Sequence, residues 1–340
     1  MPFHDDPYRR RARAGIRRAG PARRAAPIAL VATLALAAAL AGCGATSTGV
    51  NGEGSGGPVS GGPVSGGPAA IRVVASTNVW GDVAQAVGAG HVDVISLIND
   101  ASQDPHEFEP SSRDELAVSR ADVVIANGGG YDDFLGRMID TLGARPVVVT
   151  ATDAAAHVPS VSPDNEHLWF DLDAVAAVAD AIAHAYASAD PAHASDFQSA
   201  AREFDTSLQP VRDRIAAVRA EHEGAPVAIT EPLPMYLIEA AGLRNVTPAA
   251  FSEAVEEGID VSPAELSDTL ALVTERRAAL LVYNDQSVSG QTEQVLAAAR
   301  DSGVPVLPVA ETLPEGQHYQ KWMSGIVTAL AADLDGKAES

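Results

Sequence analysis

The chain has 340 residues, room for two domains of ordinary size, and its 46% hydrophobic content allows a sizeable core. The formal net charge is −22 even though residues 1–42 hold eight arginines against Asp5 and Asp6, so the remainder stands at about −28 and repels nucleic acid and anionic lipid headgroups. The one cysteine, Cys43, excludes a disulfide framework and a thiolate cluster, which leaves His, Asp, Glu and water for any metal site.

In chain order, Arg9 to Arg24 form a basic stretch and Pro27 to Leu40 an apolar one, short for a membrane span and of signal-peptide length. It ends in Leu40-Ala41-Gly42-Cys43, which resembles the bacterial lipobox. Residues 1–42 are therefore expected to be a lipoprotein signal peptide, with Cys43 lipidated and the body held at the outer face of a cell membrane. The bland alternative is an uncleaved anchor helix with an incidental cysteine. Residues 43–70 repeat Ser-Gly-Gly-Pro three times (Ser55, Ser60 and Ser65 begin the copies) and cannot build a core. They are expected to act as a tether reaching about 30 Å.

The body alternates strands and helices. Strands are expected at 71–75, 92–98, 123–126 and 147–149, with helices at 79–87, 110–119 and 131–142 between them. An Ala-rich helix follows at 173–187. A helical pattern then runs from Pro191 to Glu223, too long for a crossover, with a kink expected at Pro210. Strands at 227–230, 279–283 and 304–309, with helices at 235–241, 263–276, 292–302 and 319–333, repeat the logic. The expected fold class is α/β: two small lobes with mainly parallel sheets, residues 71–190 and 224–340, joined by one long backbone helix over 191–223. Ligands bind beyond the carboxyl ends of strands in such sheets, so the site belongs in the interlobe cleft.

Of nine histidines, His4, His91, His157, His184, His193 and His222 read as solvated or incidental. His106 stands out in Asp104-Pro105-His106-Glu107-Phe108-Glu109-Pro110, a proline-stiffened loop after an expected strand. His167 stands out in His167-Leu168-Trp169-Phe170-Asp171, where Asp171 either hydrogen-bonds the ring or caps the next helix. Glu231 directly follows a strand and is either a hard anionic ligand or a helix-terminal acid. Asp285 follows the strand 279–283 and is either a fourth ligand or a turn acid, with His318 in reserve.

At His106 and His167 the chain resembles the zinc/manganese substrate-binding proteins of ABC importers, a family that includes metal-binding lipoproteins called adhesins. The resemblance covers roughly residues 71–333. It rests on Asp104-Pro105-His106-Glu107-Phe108-Glu109, on His167-Leu168-Trp169-Phe170-Asp171, on the turn Asn127-Gly128-Gly129-Gly130-Tyr131-Asp132, and on Thr230-Glu231-Pro232. It implies metal ligands at His106, His167 and Glu231, and a late acid matched by Asp285. It further implies two lobes on one helix with little lobe motion, and delivery of the ion to an ABC permease with its cytoplasmic ATPase. The turn at Asn127 is expected to set strand-to-helix geometry rather than to bind. Two imidazoles and two carboxylates suit Zn²⁺ or Mn²⁺, and the affinity series tilts the expectation to Zn²⁺. The protein is expected to be a monomer and no enzyme.

Three other readings compete. Two histidines and a glutamate with an open position describe a secreted zinc hydrolase, although His-Glu-x-x-His is absent from the sequence. A surface adhesion module would coexist with transport. A chelate binder would hold a metal complex through few protein ligands.

Overall fold

The computed structural model describes residues 70–100, 105 and 108–336. The expected signal peptide, Cys43, the tether and His106 lie outside the described residues.

The first half contains β1 (Ile71–Thr77), α1 (Asn78–Val87), β2 (Val92–Ile98), α2 (Ser112–Arg120), β3 (Val123–Ala126), α3 (Asp133–Leu142), β4 (Val147–Thr150), α4 (Ala151–Ala155) and α5 (Leu172–Ala189). Its four strands form a wholly parallel sheet in the order β2-β1-β3-β4. After α6 (Ala194–Ser207) and α7 (Gln209–His222), the second half contains β5 (Pro226–Ile229), α8 (Met235–Ala240), β6 (Arg244–Asn245), α9 (Ala249–Glu256), α10 (Pro263–Thr274), β7 (Leu280–Asn284), α11 (Gly290–Ser302), β8 (Val306–Val309) and α12 (Tyr319–Leu334). Its sheet, again parallel, runs β6-β5-β7-β8, the same winding as the first. Central strands such as β1 and β7 are almost wholly buried because helices cover both faces, which is why they read as unbroken apolar runs.

Helix starts follow local chemistry. Ser111 and Ser289 form capping boxes with Asp114 and Thr292, and Ser262 caps α10 through the Glu265 N–H. The stretch expected as one helix over 191–223 is instead a short 3-10 turn at Pro191–His193 followed by α6 and α7, with an interruption at Leu208. Pro210 has no N–H to continue the ladder, so the break falls at the proline already marked in the sequence. Four elements escaped the sequence reading: α4, the 3-10 turn Leu168–Phe170, the two-residue β6 and α9.

One continuous apolar core runs through both halves. It joins Val73 and Ile125 of the first sheet to Ile229 and Val282 of the second through Trp169, Tyr186, Phe204, Val218 and Met323. Smaller clusters fill the far face of each sheet, around Val124 and Leu135 in one and Phe251 and Leu281 in the other. Polar stitches add to this: Asn78 exchanges two hydrogen bonds with the Leu313 backbone (2.8 and 2.9 Å), and Tyr319 donates to the Trp169 carbonyl at 2.7 Å. Halves that share a core resist hinge motion, unlike domains meeting at a small polar interface. Among the described residues, no helix is long and apolar enough to cross a membrane.

Candidate metal centre

The strands of both sheets deliver polar residues at their carboxyl ends. Asn127 follows β3, Glu231 lies two residues beyond β5, Asn284 ends β7 and Glu311 lies two residues beyond β8. All four are buried, each at 2% exposure or less, where an uncompensated carboxylate costs several kcal/mol.

His167 is 1% exposed and its ring is fixed by the chain around it. Asn165 Oδ1 accepts the His167 backbone N–H at 3.0 Å, so this atom is an oxygen and Nδ1 of the ring, 2.9 Å away, must carry the proton that points at it. In the neutral ring the lone pair then sits on Nε2, which faces the Glu256 carboxylate at 3.4 Å. A lone pair and a carboxylate face each other favourably only with a cation between them, either a ring proton or a metal ion. Glu166, His167 and Glu256 offer ligand atoms within 4.8 Å of one another.

Asn165 also ties this loop to the one carrying Glu231. Its Nδ2 donates to the Pro232 carbonyl at 3.2 Å, and Tyr236 of α8 donates to the Asn165 carbonyl at 2.7 Å. The His167 and Glu231 loops thus meet across the cleft. Asn284 Nδ2 bridges two carboxylates, donating to Glu231 Oε2 and, at 3.0 Å, to Glu311 Oε1. Tyr131 donates to the other oxygen of Glu311 at 3.0 Å, and its ring lies edge-on to His167 with centroids 6.3 Å apart. Burial pushes the Tyr131 hydroxyl well above its ordinary range, with the neighbouring Glu311 charge adding to the effect. Glu231 and Glu311 are therefore held by neutral donors, an amide and a phenol.

The glycine turn acts as support. Asn127 Nδ2 donates to the Glu166 carbonyl at 3.0 Å, just before His167, while its Oδ1 accepts from Trp80 at 2.9 Å. Asp132 closes the turn by accepting the N–H groups of Asn127 and Gly128 at 2.5 and 2.9 Å; burial pushes its carboxyl up, opposed by the Ser76 hydroxyl and these backbone bonds. Gly128 has φ +79, and a Cβ there would meet Thr152 Oγ1 at 2.3 Å, so both handedness and space demand glycine.

Other residues singled out in the sequence fall elsewhere. Asp171 caps α5 through the N–H groups of Asp173 and Ala174, which settles its two readings in favour of the cap. His318 is 80% exposed and bonds Asp82 at 2.7 Å, outside the cleft. Asp285 is exposed and lines a pocket with Tyr283, Arg300 and Asp333. Side chains alternate along a strand, so when Asn284 turns toward Glu231, Asp285 must turn away. The late-strand acid that does reach the cleft is Glu311, and it follows β8 rather than β7. The same rule that drew attention to Glu231, an acid just past a strand's end, points to Glu311 in Val309-Ala310-Glu311. Glu256 ends α9, a helix flagged by Pro248 before it and Gly258 after it.

The model of the ZnuA family, the periplasmic component A of zinc-uptake complexes, matches residues 73–333. The manganese-binding lipoprotein MntA of Halalkalibacterium halodurans is 27% identical over 240 residues, 69% of this chain and 73% of that protein. The iron-binding protein YfeA of Yersinia pestis is 23% identical over 226 residues, 64% of this chain and 70% of that one. Among solved structures, the substrate-binding protein FpvC of Pseudomonas aeruginosa in complex with Mn²⁺ superposes with a TM-score of 0.65 at 21% identity, over 79% of this chain and 100% of that chain.

Proposed function

Because the chain belongs to the ZnuA family of periplasmic zinc-uptake components, matched over residues 73–333, we propose that it captures a divalent transition-metal ion outside the cytoplasmic membrane and hands it to an ABC permease driven by a cytoplasmic ATPase. The observation that carries this reading is the His167 ring. Its tautomer is fixed by Asn165, its Nε2 is turned to the Glu256 carboxylate at 3.4 Å, and Tyr131, edge-on to the ring, bonds the buried carboxylate of Glu311. We assign His167, Glu231 and Glu311 as ligands, with Glu256 facing the same ion from α9. His106 is the second imidazole on the strength of its Asp-Pro-His motif alone. Asp285 is left out of the set.

The donor set also bears on the ion. Two imidazoles with Glu231 and Glu311 are borderline, and Glu256 adds a third hard oxygen group, which suits Mn²⁺ better than a nitrogen-rich site would. We therefore infer manganese as the ion delivered, in line with the manganese-binding lipoproteins among its relatives. Zn²⁺ binds any such site more tightly when both ions are free, so a direct titration should rank Zn²⁺ above Mn²⁺ whichever ion is delivered. The hydrolase reading gains nothing, since the family is one of solute-binding proteins. We place the body outside the membrane, anchored through Cys43 and the 43–70 tether, as the names of lipoprotein relatives support.

The ion binds the folded chain and not the unfolded one. At about a hundredfold excess over Kd it should add about 2.7 kcal/mol, a rise of roughly 5–10 °C in Tm. A thermal scan with Mn²⁺ or Zn²⁺ against one with chelator checks this, and identical curves would count against a metal site. Asn165→Ala removes no ligand but frees the His167 ring and unties the Pro232 loop. It should weaken metal binding by about 10–100-fold, the usual cost of losing an outer-shell partner, as read by calorimetry.

A further inference from the structure

A second group of metal-ligating side chains lies away from the cleft. His91 directly precedes β2, and its backbone is pinned on both sides: its N–H donates to Gly88 at 2.8 Å and its carbonyl accepts from Ile71 at 2.9 Å. His193 closes the 3-10 turn before α6, and Asp196 sits in the first turn of α6. The two imidazoles stack with centroids 3.9 Å apart and planes inclined by 22°, while Phe197 meets His91 edge-on at 5.7 Å as a floor. His91 Nε2 is 3.5 Å from the Asp196 carboxylate. His193 Nδ1 bonds Asp190 Oδ2 at 2.6 Å, and this bond holds the Asp190 carboxyl below its usual range.

We propose that His91, His193 and Asp196 form a second site for a divalent transition-metal ion, with Asp190 as the outer partner that orients His193. The three residues offer ligand atoms within 4.8 Å of one another. The Asp190–His193 bond has the form of the carboxylate–histidine–metal triads that fix a ligand's tautomer: a proton held on Nδ1 leaves the Nε2 lone pair for the ion. Both rings are partly exposed, so they can splay around an ion and water can complete its shell. Two imidazoles and one carboxylate favour Zn²⁺, Ni²⁺ or Cu²⁺ over Mg²⁺ or Ca²⁺. The site stands at the amino end of β2, whereas the cleft lies beyond the carboxyl ends of the strands. The seven residues of β2 separate the two by roughly 20 Å, so the sites should fill independently.

Equilibrium dialysis of the full chain against Zn²⁺ tests this. The expected result is two ions per chain, one bound more weakly. His193→Ala, and His91→Phe, which keeps a ring in the stack, should each remove one ion and leave the tighter affinity unchanged. Asp190→Asn should keep both ions and weaken the second by about 10–100-fold. Combining His167→Ala with Glu231→Ala should leave a single ion that His91→Phe then removes. One ion per chain that survives His91→Phe, or two ions unaltered by His91→Phe with His193→Ala, would overturn the proposal. One ion lost with His91→Phe and kept with His167→Ala and Glu231→Ala would instead retain this site and remove the cleft reading.

Discussion

Replacing His167 or Glu231 with alanine is expected to lower affinity for Mn²⁺ and Zn²⁺ by more than about 100-fold, beyond what the loss of an outer-shell partner costs. The two act from opposite sides of the cleft. His167 supplies the one buried imidazole among the described residues, and Glu231, 2% exposed, supplies a carboxylate held by Asn284. Losing either removes a donor and leaves the remaining carboxylates buried with less positive charge between them. Protons compete with the ion for both groups, so wild-type affinity should fall as pH is lowered. Calorimetric titration reads the affinity, and circular dichroism with thermal unfolding reads the fold. A chain that stays folded and binds as before in both variants would remove the site assignment.

The second large effect separates two acids. Glu311→Ala should lower metal affinity by about 100-fold or more, while Asp285→Ala should leave it unchanged within about twofold. Glu311 is 1% exposed and lies in the network Tyr131–Glu311–Asn284–Glu231, whereas Asp285 is exposed and lines a separate pocket with Tyr283 and Arg300. Gln286 holds Glu311 in place by accepting its backbone N–H, together with that of Thr312 at 3.1 Å. The end of β7 and the residues after it thus reach this network through Asn284 and Gln286 and pass over the acid between them. If Asp285→Ala weakened binding and Glu311→Ala did not, the order of side chains at the end of β7 would have to be reversed.

Local pattern reaches different depths in different parts of this protein. Short apolar runs revealed seven of the eight strands, and in central strands such as β1 and β7 burial on both faces leaves that signature in the residues themselves. The exception, β6, has two residues, too few for a periodicity. Asp171 was legible as a cap or a ring partner but not as one of the two, since the choice rests on where Asn165 stands. His91 and His193 look like isolated surface groups in one dimension and are stacked in three.

Composition, apolar runs and the motifs at His106, His167 and Glu231 are properties of neighbours along the chain. By themselves they determined the α/β class, the paired lobes and the acidic balance of the body. Packing alone decided which acids gather at the cleft, because Glu231, Glu256 and Glu311 arrive on three separate elements. A strand's pairing and twist set which of two adjacent side chains faces inward, which is why Asn284 and not Asp285 meets Glu231.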